Sequence, residues 1–420
     1  MSTRVLELFP PGSAVTGDGM LTVGGCRADD LADRFGTPVL VVDEAALRRR
    51  ARDYLSAFRS RWPRSDVAFA SKAFPCTAVQ RLMVSEGLHL DVAGGGEIVT
   101  ALAAGADPAQ LVLHGNAKTD EEIELAVRAG VGLIVVDNFD DIDRLERIVP
   151  VGHTQPCLVR VIPGVRADTY AAVATGHAGS KFGLLPEDAR DAIRRIERST
   201  VLRCDGVQTH VGSQLLDVDQ LAAAVAPIAA LGSFDTYDLG GGLGVRYTYG
   251  DDDPGLDAYA DALIGQARAL LPPGSRIIVE PGRSMVAAAA CTLYRVTTVK
   301  RGVITHVAVD GGMGDNLEVS LYGQRFEAAI ANRMTADGEL VSVVGRHCES
   351  GDQLIDGVRL PSPTVGDLLA VPVTGAYCYT MSNQYNGARR IPVVFVTDGT
   401  ARLVVRRDTW DDLLSRDVSD

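Results

Sequence analysis

The chain has 420 residues, 46% of them hydrophobic and 23% charged, which predicts a folded protein of two domains and excludes a disordered or fibrous one. A formal net charge of −13 argues against nucleic acid or an acidic membrane surface as a partner. No apolar run predicts a membrane span, no signal peptide is visible, and seven scattered cysteines without a CxxC pair indicate neither disulfides nor zinc. We therefore expect a cytoplasmic protein that binds no metal.

The first 35 residues are rich in turn residues and hold only short apolar pieces, so we expect them to supply strands to a domain completed elsewhere. A strand over 38–43 and a helix over 44–58 follow. Eight apolar, strand-like runs come next, beginning near Val67, His89, Leu111, Leu133, Pro156, Cys204, Thr236 and Arg276. Helical patterns separate them, at 78–86, 97–104, 120–129, 140–148, 186–196, 220–231 and 257–271.

Strands that alternate with helices imply a parallel sheet, and eight such units favour a (β/α)8 barrel over an open doubly wound sheet. A dinucleotide-binding domain would carry G-x-G-x-x-G after its first strand, whereas the first strand-to-helix turn here carries Lys72. Beyond Glu280, short strands without long helices are predicted at 292–299, 305–309, 340–344, 368–371, 393–397 and 401–405. The expected domains are a barrel over 36–283 and a mostly-β, sandwich-like domain of 284–420, completed by the N-terminal strands of 1–35.

Lys72 ends the buried strand that opens the predicted barrel, and it is one of only four lysines in the chain. A lysine pressed against apolar walls loses solvation of its charged form, so its pKa falls and its neutral amine becomes a nucleophile. Such a lysine can form a Schiff base with a carbonyl compound. The alternative is a lysine that only extends its ammonium group from the strand end into solvent.

The chemistry of such a barrel lies at the carboxyl ends of its strands. Those positions hold a polar set here: Lys72, Asp91, His114, Arg160, His210, Gly240, Gly241, Gly242, Glu280 and Arg283. The glycines allow backbone N–H groups to approach a phosphate, and we expect a helix directly after them to add its dipole. With the Arg283 cation nearby, a phosphate pocket is predicted at the last two strands.

Glu280 indicates a more specific chemistry. A carboxylate opposite a pyridine nitrogen keeps that nitrogen protonated, and the ring then withdraws electrons from a carbanion at the substrate Cα. His210 could stack on the open face of such a ring, although a histidine packed in the core remains an alternative.

Ten sequence blocks resemble the signature blocks of the diaminopimelate decarboxylase-like, fold type III, pyridoxal-phosphate enzymes. They are FASKAF, LDVAGGGEI, HGNAK, ATGHAGSKFGL, HVGSQL, DLGGGLG, EPGRSMVA, DGGMGDN with LYG, GRHCESGD and GAYCYTMSNQYN, and they run in order from about Pro38 to Asn386. The resemblance implies an alanine-racemase-like barrel with a β-domain built from both chain ends, and pyridoxal 5'-phosphate as cofactor.

The resemblance also implies individual roles. Lys72 would hold the cofactor as a Schiff base, with Asp91 and the glycines also at the cofactor, His210 on the ring, Ser213 near the phosphate, Glu280 at the pyridine nitrogen and Tyr377 beside the cofactor. Arg283 and Tyr322 would bind a substrate carboxylate, Cys348 would return a proton to Cα, and Glu349 would face the distal amine of the substrate. In the family the Cys348 block serves the other subunit, which implies a homodimer with shared sites.

One position departs from the family pattern. Where lysine-biosynthesis enzymes read like DNPRPALYG, residues 315–323 read DNLEVSLYG, so Glu318 takes the place of an arginine that holds the distal carboxylate. A reversed charge should repel that carboxylate and attract a cation. The sequence therefore predicts a preference for a substrate with a cationic, neutral or esterified distal end, free or bound to a carrier. Alternatively, Glu318 points elsewhere and Arg325 compensates.

Decarboxylation is the predicted reaction, with a small amino acid as substrate. A racemase on the same fold would not use Glu280, because too strong an electron sink favours loss of the carboxylate. A non-catalytic regulatory homologue would be expected to have lost Lys72 or Cys348, and both are present.

Overall fold

The computed structural model describes residues 3–165, 176–177, 179–335 and 338–418. The sequence block ATGHAGSKFGL at 174–184 lies partly outside these residues. The chain divides into two compact units, which we call the β unit and the barrel unit. The β unit comprises Met1–Arg49, Val245–Asp252 and Met285–Asp420, and the barrel unit comprises Arg50–Gly244 and Asp253–Ser284.

The barrel unit is built on eight parallel strands that close into a ring. The strands are Ser65–Ala70, His89–Val92, Leu111–Leu113, Leu133–Val136, Gln155–Val161, Leu202–Thr209, Thr236–Asp238 and Arg276–Val279. They are the eight runs predicted from the sequence, so the predicted barrel is confirmed. Ala68, Val112, Leu133, Val135, Leu158 and Ile278 form a buried cluster among them, which makes the barrel a packed core.

Helices alternate with the barrel strands, as the apolar periodicity predicts. They are Glu44–Arg61, Thr77–Ser85, Gly95–Ala103, Asp120–Ala129, Phe139–Ile148, Pro186–Arg198, Val218–Ala223, Val225–Ala229, Leu256–Leu270 and Arg283–Val286, with 3-10 turns at Ser71–Ala73 and Pro108–Gln110. Local signals fix their ends: Thr119 forms a capping box with Glu122, and Gly130 closes the same helix in a left-handed conformation. Within the described residues, the helices lack the combination of length and apolar character that crossing a bilayer needs.

The β unit contains two sheets. Its larger sheet has nine strands: Val39–Asp43, Ala290–Lys300, His306–Val309, Ala329–Ile330, Glu339–Val344, Gln353–Leu360, Leu368–Pro372, Val393–Thr397 and Thr400–Val405. Its smaller sheet has three strands, Ala14–Val15, Leu21–Val23 and Cys26–Arg27. Short helices complete the unit at Thr3–Leu6, Ala28–Phe35, Ala287–Ala289, Glu318–Tyr322, Tyr385–Gly387 and Trp410–Leu414.

One expectation about this unit is confirmed and another is corrected. Residues 1–35 belong to the β unit, as expected. The strands of residues 1–35 pair only with one another among the described strands, and they share a buried core with the large sheet rather than extending it. The strand that does complete the large sheet is Val39–Asp43, which pairs with Ala290–Lys300 and Val393–Thr397 and therefore does not belong to the barrel that was expected to begin at residue 36. All five of its residues are buried, and a continuous apolar run does not reveal from sequence which sheet it joins.

Candidate active site

The eight barrel strands all run in one direction, so their carboxyl ends meet at one rim. Lys72, Asp91, His114, Arg160, His210, Gly240 and Glu280 lie at or just beyond seven of these ends. The remaining strand, Leu133–Val136, is followed by Asp137, a buried acid near Arg160 that the sequence analysis did not select. The rim is therefore lined by charged and polar groups around the whole ring.

Lys72 lies in the 3-10 turn Ser71–Ala73 directly after the first barrel strand. Its neighbours Ser71 and Ala73 are buried, whereas Lys72 itself is exposed in the single chain. The expectation of a lysine held against apolar walls is therefore not met in this structure. Its position at the carboxyl end of a barrel strand is still the one expected of a lysine that forms a Schiff base.

Glu280 is the centre of a buried hydrogen-bond network. Its Oε1 lies 2.5 Å from Nε2 of His114, and its Oε2 accepts a hydrogen bond of 3.1 Å from the amide of Gln208. Burial alone would raise the pKa of Glu280, but the charge and hydrogen bond of His114, with a further hydrogen bond from Asp238, lower it below its ordinary value. Glu280 is thus held as a carboxylate inside the barrel.

His210 follows the sixth barrel strand, and its Nδ1 accepts a hydrogen bond of 3.2 Å from the Gly241 amide. Burial, followed by the nearby Lys72 and Arg160 charges, lowers the pKa of His210 to about 3. The imidazole is therefore neutral at physiological pH, and because Nδ1 is the acceptor, Nε2 carries the proton.

Glycines 240 to 242 turn the chain sharply where a side chain has no room. Gly240 and Gly242 have positive φ angles of 66° and 123°, and a Cβ on Gly241 would collide with the carbonyl oxygen of Glu280. The three glycines carry no side chain over the backbone here, and close approach to a phosphate would require that. The helix expected directly after the glycines is absent, because residues 245–252 join the β unit and the next helix begins only at Leu256. Backbone N–H groups, and not a helix dipole at Gly244, are what this loop offers.

Arg283 and Ser213 lie together at the same end of the barrel unit. Nε of Arg283 donates a hydrogen bond of 3.3 Å to the Ser213 hydroxyl. Arg283 is buried and Ser213 is half-buried. The pair combines a cation with a hydroxyl, a donor set that suits a phosphate or a carboxylate.

The other predicted site residues belong to the β unit. Cys348 and Glu349 are exposed on the turn after Glu339–Val344; the Cys348 amide donates to the Asn386 side chain at 2.8 Å, and the hydroxyl of Tyr385 donates to Glu349 at 3.5 Å. Tyr377 is half-buried with a positive φ of 60°, a conformation that a tyrosine rarely adopts and that marks a constrained position.

Glu318 opens the short helix Glu318–Tyr322, which ends in the half-buried Tyr322. It is fully buried within the β unit, where the Tyr247 hydroxyl donates to its Oε2 at 3.4 Å. Arg325, the residue that was considered as compensating for it, is exposed.

Besides Asp137, three residues of this arrangement were missed from sequence. Asp238 and Gln208 contribute to the Glu280 network, and Asp352 accepts hydrogen bonds from the amides of Met313 and His347 at 2.6 and 2.7 Å. Asp238 ends a barrel strand directly before the glycine run, so its position was a signal that could have been used. No sequence signal identifies Gln208, because its role depends on a partner, Glu280, that is 72 residues away in the sequence.

The comparisons with known proteins fit this architecture. A family model described as "Pyridoxal-dependent decarboxylase, pyridoxal binding domain" matches residues 44–287. The diaminopimelate decarboxylase of Actinosynnema pretiosum subsp. auranticum is 45% identical over 98% of this chain and 95% of its own, and that of Bacillus subtilis is 42% identical over 95% of each. The crystal structure of diaminopimelate decarboxylase from M. jannaschii in complex with L-lysine has a TM-score of 0.91 at 29% identity and covers 98% of both chains.

The barrel, with a lysine and a buried carboxylate at its rim, is the architecture of a pyridoxal-phosphate enzyme. These matches show the family: the chain belongs to the pyridoxal-dependent decarboxylases of the diaminopimelate decarboxylase-like group. It is a carboxy-lyase with pyridoxal 5'-phosphate as its cofactor, as predicted. The racemase and the non-catalytic regulator are not favoured by the matches.

The rim residues fit this cofactor. Glu280 offers a buried carboxylate to the ring nitrogen, and the glycine loop leaves space that a Cβ would fill, as backbone that approaches a phosphate requires. Asp91, His114 and Glu280 bring one ligand-type atom each within 4.8 Å of one another. These three groups are buried together at the barrel rim.

Proposed function

We propose that this enzyme decarboxylates meso-diaminopimelate and releases carbon dioxide and L-lysine. The observation that carries the proposal is the match of nearly the whole chain to diaminopimelate decarboxylases at 40–45% identity. A match over one domain would support the cofactor chemistry alone. Here the similarity also extends over the β unit, which holds the residues predicted to contact substrate.

The residues have separable tasks in this proposal. Bound pyridoxal phosphate supplies a ring that withdraws the electron pair left on the substrate carbon when a carboxylate departs. Lys72 would anchor the cofactor covalently, Glu280 would keep the proton on its ring nitrogen, and His210 would lie against the ring. The glycine loop, Ser213 and nearby backbone amides hold its phosphate, with Asp91 and Tyr377 close by.

The substrate is held and protonated by other groups. Arg283 and Tyr322 bind its distal carboxylate, and Glu349 accepts a hydrogen bond from its distal amine. The Cys348 thiol returns a proton to the substrate Cα, a task for which the pKa range of thiols is suited. Cys348 is an exposed free thiol and can therefore be reached by a substrate. A free thiol at the surface also supports the proposal of a reducing, cytoplasmic location.

A homodimer is part of the proposal. Cys348 and Glu349 are exposed in the single chain, which supports a role in a site completed by a second copy. We propose that they serve the active site of the partner subunit, so that each dimer contains two shared sites. A carrier-bound substrate remains the alternative for which Glu318 is the motivating observation.

The test is a carbon dioxide release assay on the purified protein loaded with pyridoxal phosphate. The panel contains meso-diaminopimelate, D-lysine, D-ornithine, D-arginine, their L-isomers and carrier-bound amino acids. We expect meso-diaminopimelate to be turned over with L-lysine as product. Turnover of another member of the panel, with none of meso-diaminopimelate, would overturn the substrate assignment and leave the reaction class intact.

A further inference from the structure

Asp238 is a fully buried acid at the barrel rim, just before the glycine loop. We propose that Asp238 carries a proton in the folded protein and donates it in a hydrogen bond to Glu280, which makes Asp238 a positioning residue that holds Glu280 as a carboxylate. The inference rests on the proposed function, since it concerns how Glu280 is kept ready for the ring nitrogen.

The backbone fixes the two acids next to each other. Asp238 ends the strand Thr236–Asp238, which pairs in parallel with Arg276–Val279, and Glu280 directly follows the latter. The Glu280 amide also donates a hydrogen bond of 2.8 Å to the Gly240 carbonyl, which binds the two strand ends together. The backbones that carry the two carboxyl groups therefore cannot separate without breaking the barrel ladder.

The two oxygens of Asp238 have different environments. Oδ1 accepts a hydrogen bond of 2.9 Å from the Gly240 amide. Oδ2 is buried, and no hydrogen-bond donor among the described residues reaches it. The side chain that can share a hydrogen bond with Asp238 is Glu280. An ionised Asp238 would leave a buried oxygen unpaired beside a second negative charge, whereas a protonated one donates from that oxygen.

The surrounding charges favour the same state. The titratable and charged groups that most strongly act on Asp238 or are acted on by it include Glu280, Asp91, Arg160 and Tyr259. Burial and then the Glu280 charge raise the pKa of Asp238 well above its ordinary value. Two adjacent buried carboxyl groups cannot both ionise, so they share one proton, and His114 beside Glu280 determines which of them is the anion.

The arrangement leaves Glu280 suitably equipped for its task. A carboxylate has about four lone-pair sites. His114, Gln208 and Asp238 supply three hydrogen-bond partners, which leaves about one site for the protonated ring nitrogen. Without these hydrogen-bond partners, the Glu280 carboxylate would be expected to take the proton from the ring nitrogen. The ring would then be neutral and a weaker electron acceptor.

The test exploits asparagine as a mimic of a protonated aspartate. In Asp238→Asn the amide nitrogen can donate to Glu280 while the oxygen still accepts from Gly240, so we expect kcat/KM and cofactor affinity within about threefold of wild type. Asp238→Leu removes the donor at similar volume, and the loss of a hydrogen bond to a charged group should lower kcat/KM by about ten- to a hundredfold. Equal losses in both variants would overturn the proposal.

A second measurement does not depend on activity. In protein without cofactor, the infrared carbonyl band of a protonated carboxylic acid should be present in alkaline buffer, where Glu97 and Asp315, with pKa values raised to about 7, are ionised. The band should shift when the protein is labelled with carbon-13 aspartate, and it should disappear in Asp238→Asn. Asp235, an exposed carboxylate that pairs with Arg64, gives the control: the band should persist in Asp235→Asn. Persistence of the whole band in Asp238→Asn would overturn the assignment, even if Asp238→Leu fails to fold. A correct band in a protein that does not decarboxylate meso-diaminopimelate would instead refute the proposed function alone.

Discussion

Glu280 and Arg283 of the barrel unit and the Cys348 turn of the β unit are held in opposite ways. At the barrel rim, Glu280 is buried and hydrogen-bonded by residues of its own unit, and Arg283 is buried against Ser213. In the β unit, Cys348 and Glu349 are exposed on a turn. The contrast supports the proposal that the cofactor side of the chemistry is organised within one chain and that the proposed proton-donating turn is completed by a second copy.

The largest effect should come from the barrel side. We expect Lys72→Ala to lower kcat at least about a thousandfold, because covalent attachment of the cofactor is lost. Borohydride reduction of the loaded wild-type protein should fix the cofactor on the peptide that contains Lys72. The exposed Lys300 gives a control variant, Lys300→Ala, which should keep full activity; a label on Lys118, Lys181 or Lys300 would refute the assignment.

The comparison can be tested across subunits by mixing two inactive proteins. In the proposed dimer each site combines Lys72 of one subunit with Cys348 of the other. A hybrid of Lys72→Ala and Cys348→Ala subunits should therefore contain one site with both residues intact and one site that lacks both. Free exchange of subunits would then restore activity to about a quarter of wild type. Native mass spectrometry verifies that hybrids form, and their presence without activity would contradict the shared site.

Asp352 holds the backbone next to the exposed Cys348 turn by accepting hydrogen bonds from two amides. Asp352→Ala leaves the amides of Met313 and His347 without their acceptor, which should lower the free energy of unfolding by about 2–4 kcal/mol. We also expect kcat to fall, because the Cys348 turn loses its support. Denaturant unfolding measures the first effect, with the exposed Asp356→Ala as control; equal stability of the two variants would show that the amides find other partners.

Glu318 should affect substrate choice by about tenfold. A buried carboxyl group here cannot give a distal carboxylate the charge-assisted hydrogen bond that an arginine would, and such a bond contributes about 1.5–3 kcal/mol. Glu318→Gln, which keeps an acceptor for the Tyr247 hydroxyl, and Glu318→Arg should both raise kcat/KM for meso-diaminopimelate relative to substrates with a cationic or neutral end. A decrease in both variants would mean that Glu318 serves only to hold Tyr247.

The acid stability of the barrel unit should depend on His210. His210 has a folded-state pKa lowered from 6.5 to about 3, by burial first and then by nearby cations, so the unfolded chain binds its proton more readily. Its contribution to stability is therefore present above pH 6.5 and is lost as the pH falls from 6.5 towards 3. We expect His210→Gln to flatten this part of the unfolding curve against pH, and an unchanged slope would contradict the assignment.

The barrel could be predicted from sequence because its signals are local. Each strand is a short apolar run, each helix has its own period and caps, and the rim positions follow from strand ends. The sheet partners of Val39–Asp43 could not be predicted, because its run of buried residues suits any central strand. The eight-residue strand Gln353–Leu360 was missed because the charged Asp356 and Arg359 and the intervening Gly357 obscure its alternation.

The site shows the same division. Lys72, Glu280 and the glycine loop could be placed from their positions at strand ends. Asp238 as a partner of Glu280 could not, because two acids in neighbouring strands carry no sequence signal that they share a proton. The exposure of Lys72 in the single chain also could not be predicted, since it depends on how the turn Ser71–Ala73 packs.

The pairing of Val39–Asp43 has a consequence for synthesis. This fully buried strand emerges early, yet one of its two partners, Val393–Thr397, is made 350 residues after Asp43. At typical translation rates of about 5–20 residues per second, the strand waits roughly 20–70 s for that partner. All barrel strands are complete by Val279, so the nascent chain can close its barrel while an apolar strand edge stays open to other chains. The order of synthesis therefore makes the sheet that spans both chain ends the step most exposed to aggregation.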